Sequence, residues 1–158
     1  RVAEGTPAAP LDLAALARTV IGEAVADARV RSQALGLSGL DTAMVTGHAD
    51  ALRLLLRNLI ENAIKYAPAG GRIEVGVVAG EAPGRVALVV EDSGPGIPEA
   101  ERTRVLDRFY RLPDAPSTGS GLGLAIAQSV AQMHGSTLRL DSSPTLGGLR
   151  VWLELPAA

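Results

Sequence analysis

An α+β fold, a two-layer sandwich with helices on one face of a mixed, largely antiparallel β-sheet, is what this sequence predicts. Helical and strand periodicities fall in separate blocks and do not alternate strictly, the pattern of a segregated layer architecture. The strand-like segments come mostly as pairs joined by short Gly/Pro breaks, which makes neighbours antiparallel. A chain of 158 residues, 47% hydrophobic, supplies one substantial core and is too short for two domains of ordinary size.

Taken in order, "RVAEGTPAAP" (residues 1–10) is a polar, Pro/Ala-rich lead-in. It starts on Arg1 and reads as the end of a missing upstream segment, where a membrane span could lie. Residues 11–35 have helical spacing and no internal proline, which predicts a long amphipathic helix. A short strand is expected within "LGLSGLDTAMVTG". The next helix runs from Asp50 to Tyr66 with Leu55, Leu56, Leu59, Ile60 and Ala63 as its buried stripe, and "PAGG" ends it. "RIEVGVVA" and "RVALVVED", parted by "GEAPG", form a hairpin. "IPEAERTRVLDRF" has a proline near its start and acidic residues in its first turn, so a short helix is expected. After the loop "RLPDAPSTGSG" comes a helix with Leu122, Ala125, Ile126, Val130 and Met133 as its stripe, then two closing strands, "STLRLDSS" and "GGLRVWLEL".

Composition removes several function classes. A net charge of -2, with no run of Lys or Arg, gives no footprint for nucleic acid. Absence of cysteine excludes disulfides, thiolate nucleophiles and cysteine-bound zinc. Apolar runs reach only about six residues, against the ~20 needed to cross a bilayer, so this part of the protein is expected to be soluble and without direct membrane contact.

Chemistry collects in three stretches. On the second helix, Asn58, Glu61, Asn62 and Lys65 stand three or four residues apart and share one face. Asparagine costs up to ~0.7 kcal/mol against alanine in a helix interior, so two on one stripe are unusual for a merely solvated face. In "VEDSGPGIP" a carboxylate at a strand end is followed by Gly94 and Gly96, which let backbone approach a flat ligand; a plain turn uses the same residue types. "TGSGLGLAIA" sets Gly119, Gly121 and Gly123 before an apolar helix, a pattern suited to phosphate and also to an ordinary glycine-rich surface loop. It is no P-loop, since no lysine is present, and no Rossmann fingerprint, since no strand precedes it.

Together, "NLIENAIKYAP", "EDSGPGIP", "DRFYRL" and "GSGLGLAI" resemble, in order and spacing, the N, G1, F and G2 boxes of the catalytic ATP-binding domain of bacterial sensor histidine kinases. That family belongs to the Bergerat-fold group with gyrase, the heat-shock chaperones and mismatch-repair ATPases. The resemblance implies a domain over residues 11–158 that binds ATP and Mg2+ and donates the γ-phosphoryl group to a histidine. It implies that Asn62 offers its side-chain oxygen to magnesium, that Asn58 contacts phosphates or metal-bound water, and that Lys65 adds charge toward the phosphates. Glu61 would hold a magnesium-bound water or assist proton movement. Tyr66 would border the adenine, Asp92 accept a hydrogen bond from its 6-amino group, and Gly94, Gly96 and Ile97 line the base. Phe109 and Tyr110 would anchor a lid over residues 110–120 that orders with nucleotide, and Arg111 would stabilise charge on the transferring group. Gly119, Ser120, Gly121 and Gly123, with Leu122 and Leu124 anchoring the helix, would close amides over the phosphates.

His48 and His134 lack the acidic residue and proline or asparagine that follow the family's acceptor histidine, so both read as structural. The phosphoacceptor and dimerisation domain then lies outside this chain. The implied partners are that domain and a response regulator, and the implied setting is the cytoplasmic side of a membrane-anchored kinase. An ATP hydrolase of gyrase or chaperone type is the rival reading; it would place a glutamate where Asn58 stands. An anti-sigma-factor serine kinase of the same fold, fitted less well by the lysine-tyrosine pair after Asn62, is another. A module that has lost activity is disfavoured by competent residues at every motif position.

Overall fold

The computed structural model describes residues 7–102, 104–106 and 123–158. The order is β1 (Ala9–Asp12), α1 (Leu13–Val30), β2 (Ala34–Gly39), β3 (Met44–Gly47), α2 (Ala49–Tyr66), β4 (Arg72–Ala79) and β5 (Arg85–Asp92). Two 3-10 turns (Glu99–Glu101 and Arg104–Leu106), α3 (Gly123–Met133), β6 (Arg139–Ser142) and β7 (Leu149–Pro156) follow among the described residues. Five strands pair in the order β2-β4-β5-β7-β6, parallel only between β2 and β4, so the expected mixed, largely antiparallel sheet is present.

One core lies between this sheet and the helices. Ile73, Val75 and Val77 of β4, Leu88 and Val90 of β5, and Val151, Leu153 and Leu155 of β7 alternate along their strands and join one cluster with residues of α1, α2 and α3. The whole expected α2 stripe, Leu55, Leu56, Leu59, Ile60 and Ala63, is in it.

Several boundaries differ from expectation. The first helix starts at Leu13, where Asp12 caps it: Oδ1 accepts from Ala14 N at 3.0 Å and from Ala43 N at 2.9 Å. These donors, Ala43 foremost, hold the Asp12 carboxyl below the usual carboxylate range. Residues 9–12, where no strand was expected, pair with β3. The helix stops at Val30 because Ser32 takes a left-handed backbone, φ 58°, and the chain turns. Residues 34 and 35, expected in that helix, start β2, and "LGLSGLDTAMVTG" contributes to two strands where one was expected.

The short helix expected from Ile97 is two 3-10 turns in its described part, with only Ile97 and Val105 buried, too few apolar side chains for a stripe. In α3 the buried set is Leu124, Ala125, Ala127, Val130 and Ala131, while Met133 is 43% exposed and Ile126 half-buried. That helix is apolar almost all round, so periodicity alone could not choose its inward face.

Candidate functional site

The α2 helix carries its polar stripe opposite the core: Glu61 is exposed, and Asn58, Asn62, Lys65 and Tyr66 are half-buried. Asn58 Nδ2 donates to Leu54 O, one turn back, at 3.0 Å, which offsets the cost of an amide in mid-helix and leaves Oδ1 outward. Where α3 begins, a Cβ on Gly123 would stand 3.9 Å from both Asn58 O and Asn58 Oδ1, so the end of the glycine loop meets the α2 amide face. Lys65 Nζ lies 5.3 Å from the Tyr66 ring centre, a cation-π contact at the end of the helix.

Asp92 ends β5, paired with Ile73 of β4, and is 4% exposed. Its Oδ1 accepts from Gly94 N at 2.9 Å and from Leu149 N at 3.4 Å. Burial raises its pKa above the ordinary carboxylate value, and these two backbone donors act the other way. Both donors use Oδ1, which leaves Oδ2 as the oxygen for an outside donor. A carboxylate oxygen in this place can accept a hydrogen bond from an N–H or O–H group.

Glycine is required around this carboxylate. A Cβ on Gly94 would fall 2.9 Å from Tyr66 O and 3.0 Å from Asp92 Oδ1, so the turn abuts the end of α2. Gly96 has φ 74°, the left-handed region. A Cβ on Gly148 would fall 2.5 Å from Asp92 Oδ1 and 2.7 Å from Gly94 N, and closer still to Asp92 O. Gly148 N itself donates to Asp92 O at 3.1 Å. Sequence reasoning saw Gly148 only as the opening of a strand; the doublet "GG" was the available signal. It missed Ser93 as well, whose Oγ accepts from Arg72 N at 2.8 Å and fastens the end of β5 to the start of β4.

Ile97 and Leu124 have their side chains in the core. Phe109, Tyr110, Arg111, Gly119, Ser120, Gly121 and Leu122, and with them the expected lid, lie outside the described residues. The two histidines form a structural pair. His134 Nε2 accepts from His48 N at 3.0 Å and Nδ1 faces Val130 O at 2.8 Å, so the neutral tautomer with the proton on Nδ1 satisfies both. Burial chiefly, and the charge of His48 in addition, lower the His134 pKa. This pair joins the end of α3 to the start of α2. A groove of about 380 Å³ on the outer sheet face, between Glu74, Gly76, Glu91 and Trp152, contains none of the candidate site residues. Among the described residues no group of three or more His, Cys, Asp or Glu could cage a metal, and no helix is long and apolar enough to cross a membrane.

A mixed sheet under a helix layer, with an amide-bearing helix beside a buried strand-end carboxylate, defines an α+β domain with one candidate site at the junction of α2 and β5. The sequence profile of the histidine kinase-, DNA gyrase B- and HSP90-like ATPases matches residues 47–158, and the chain belongs to this family. Within it, the relatives are sensor histidine kinases. The chain is 43% identical over 115 residues to the sensor-type histidine kinase PrrB of Mycobacterium tuberculosis, a match covering 73% of this chain and 25% of that protein. It is 40% identical over 122 residues to the swarming motility regulation sensor protein RssA of Serratia marcescens, covering 77% and 26%. Thus the chain spans about a quarter of the length of these relatives. The structure of the mycobacterial sensor histidine kinase MprB superposes with a TM-score of 0.81 at 33% identity, covering 95% of this chain and 97% of that one. The ATP-binding domain of PrrB gives 0.76 at 32% identity, covering 97% and 99%.

Proposed function

We propose that this chain binds Mg-ATP and delivers the γ-phosphoryl group to a histidine on a separate dimerisation and phosphoacceptor domain, from which a response regulator takes it. The kinship with sensor histidine kinases supports this reading. The observation that carries it is Asp92, a buried carboxylate held by backbone amides, with an oxygen left for the adenine 6-amino group. That arrangement prefers adenine over guanine, whose carbonyl at the same position would face another acceptor.

Around the nucleotide, the roles are those that the kinship with histidine kinases implies. Asn62 would offer a neutral side-chain oxygen to magnesium, a hard cation that accepts such donors. Magnesium, when bound, would supply charge neutralisation on the phosphates. Lys65 adds positive charge, and Asn58 and Glu61 hold water or phosphate oxygen. Arg111, with the glycines before α3, completes the charge stabilisation in this reading. Asn58 cannot serve as a general base, so no described residue one turn before Asn62 activates water, which favours transfer over hydrolysis. By the same kinship the domain works on the cytoplasmic side of a longer, membrane-anchored protein.

The test is phosphotransfer. The chain, mixed with ATP labelled at the γ position and a purified histidine-bearing acceptor domain of a relative, should label the acceptor on histidine with an acid-labile bond. Alone it should label neither His48 nor His134. Acid-stable phosphoserine on a protein partner would favour the serine kinase, and rapid acceptor-independent release of phosphate would favour the hydrolase.

A further inference from the structure

The α2 helix ends without a left-handed glycine cap: Ala67 has φ -68° and ψ 142°, an extended conformation. Such an end leaves carbonyl groups in need of donors. Two side chains from the junction between α1 and β2 supply them. Gln33 is 7% exposed, and its Nε2 donates to Ile64 O at 2.9 Å and to Ala67 O at 3.0 Å. Arg31 Nη1 lies 3.5 Å from Lys65 O and Nη2 lies 3.3 Å from Ala67 O, a cation at the negative end of the helix dipole. Gly70 N donates back to Arg31 O at 3.3 Å, and Ala34 N to Gly71 O at 3.0 Å, so the same junction also holds the loop after α2.

On its other side, this last turn of α2 meets the acidic turn, since Tyr66 O occupies the space that a Cβ on Gly94 would need. The turn bearing Lys65 and Tyr66 is therefore clamped between Gln33 with Arg31 on one side and the Asp92–Gly94 turn on the other. The clamp has local costs. Ser32 holds a left-handed φ of 58°, and Gln33 Oε1 is buried with no partner among the described residues. A glycine cap would satisfy a helix end without either, so what this arrangement adds is position.

We infer that Gln33 and Arg31 are positioning residues of the nucleotide site, setting Lys65 and Tyr66 against the Asp92 turn through the end of α2. This rests on the adenine-site reading of Asp92 and the α2 face. Gln33→Met keeps length and apolar volume and removes both N–H donors; Arg31→Ala removes an exposed side chain and leaves the core intact. Affinity for a non-hydrolysable ATP analogue, measured by calorimetry well below each variant's melting temperature, should fall about fivefold for Gln33→Met and about twofold for Arg31→Ala. A cap that only stabilised the helix would lower the melting temperature and leave affinity in the folded range unchanged. That outcome in both variants overturns the inference. If Gln33→Met does not fold, Arg31→Ala decides alone. Asp92→Asn serves as the reference: if it too leaves affinity unchanged, the adenine-site reading has failed, whereas a loss there with unchanged affinity in the other two variants sinks only the clamp.

Discussion

Asp92→Asn separates the two properties that meet in one side chain. The asparagine Oδ1 can keep the Gly94 N and Leu149 N bonds, now at 2.9 and 3.4 Å, so the turn has no reason to rearrange. With Oδ1 so fixed, Nδ2 must take the place of Oδ2 and presents a donor to the adenine amino group, itself a donor. One hydrogen bond is lost and a buried N–H is left facing another, which costs ~1 to 3 kcal/mol, or about a 5- to 150-fold rise in Kd. Fold stability moves differently. Burial raises the Asp92 pKa, so the group is more easily ionised in the unfolded chain, and its ionised form costs stability as pH rises above the ordinary carboxylate range. A neutral amide carries no such cost, and at pH 7 the variant should melt no lower than wild type. Calorimetric titration with ATP and thermal melts of the same samples give both numbers. Undiminished affinity would remove Asp92 from the site; a weaker but also markedly destabilised variant would mean that the carboxylate holds the turn rather than the ligand.

Other expectations follow from neighbouring geometry. Gly148→Ala forces a methyl against Asp92 Oδ1 and Gly94 N and should cost ~1 to 3 kcal/mol of stability together with a loss of ATP affinity, read by melting and titration; a variant as stable as wild type would show that the β7 start can yield. Asn62→Ala, at a half-buried position outside the core cluster, should keep the circular dichroism of the wild type while ATP binding ceases to differ between magnesium and chelator. His134 has its pKa lowered from about 6.5, so the unfolded chain takes up this proton first. The stability it contributes is fully present above that value and is lost as pH falls through the folded-state pKa. His134→Gln, which can still accept from His48 N but does not titrate, should flatten the melting-temperature curve between pH 7 and pH 5; identical slopes would locate the acid sensitivity elsewhere.

What was legible in the sequence was whatever the chain encodes locally. The β4–β5 hairpin shows in "RIEVGVVA" and "RVALVVED" because consecutive residues carry its pattern, and α2 shows because its buried stripe, Ala51 to Ile64, repeats over nearly four turns. Asp92, Gly94 and the α2 amides stand in recognisable motifs for the same reason. The four-residue β1, with burial rising only toward its last two positions, offers no alternation to read. The end of α1 was misplaced because Leu35 continues a helical spacing that Ser32 interrupts without glycine or proline. Gly148 and Gln33 were invisible for a different cause. Their importance lies in atoms 56 and 31 residues away, and no local pattern announces a partner at such separation.

The small sheet has an architectural meaning. In the antiparallel β1–β3 pair, Ala9 stands opposite Gly47, so the point where the polypeptide enters the fold is one rung from the residue before the His48 cap of α2. The C-terminal end is tied in at the same place, with Ala158 N bonded to Met44 O at 3.0 Å and Ala157 bridged to Val45. The root of the helix that bears Asn58 and Asn62 is thus a junction, where β1 and the residues that follow β7 of the five-stranded sheet are both fastened to β3.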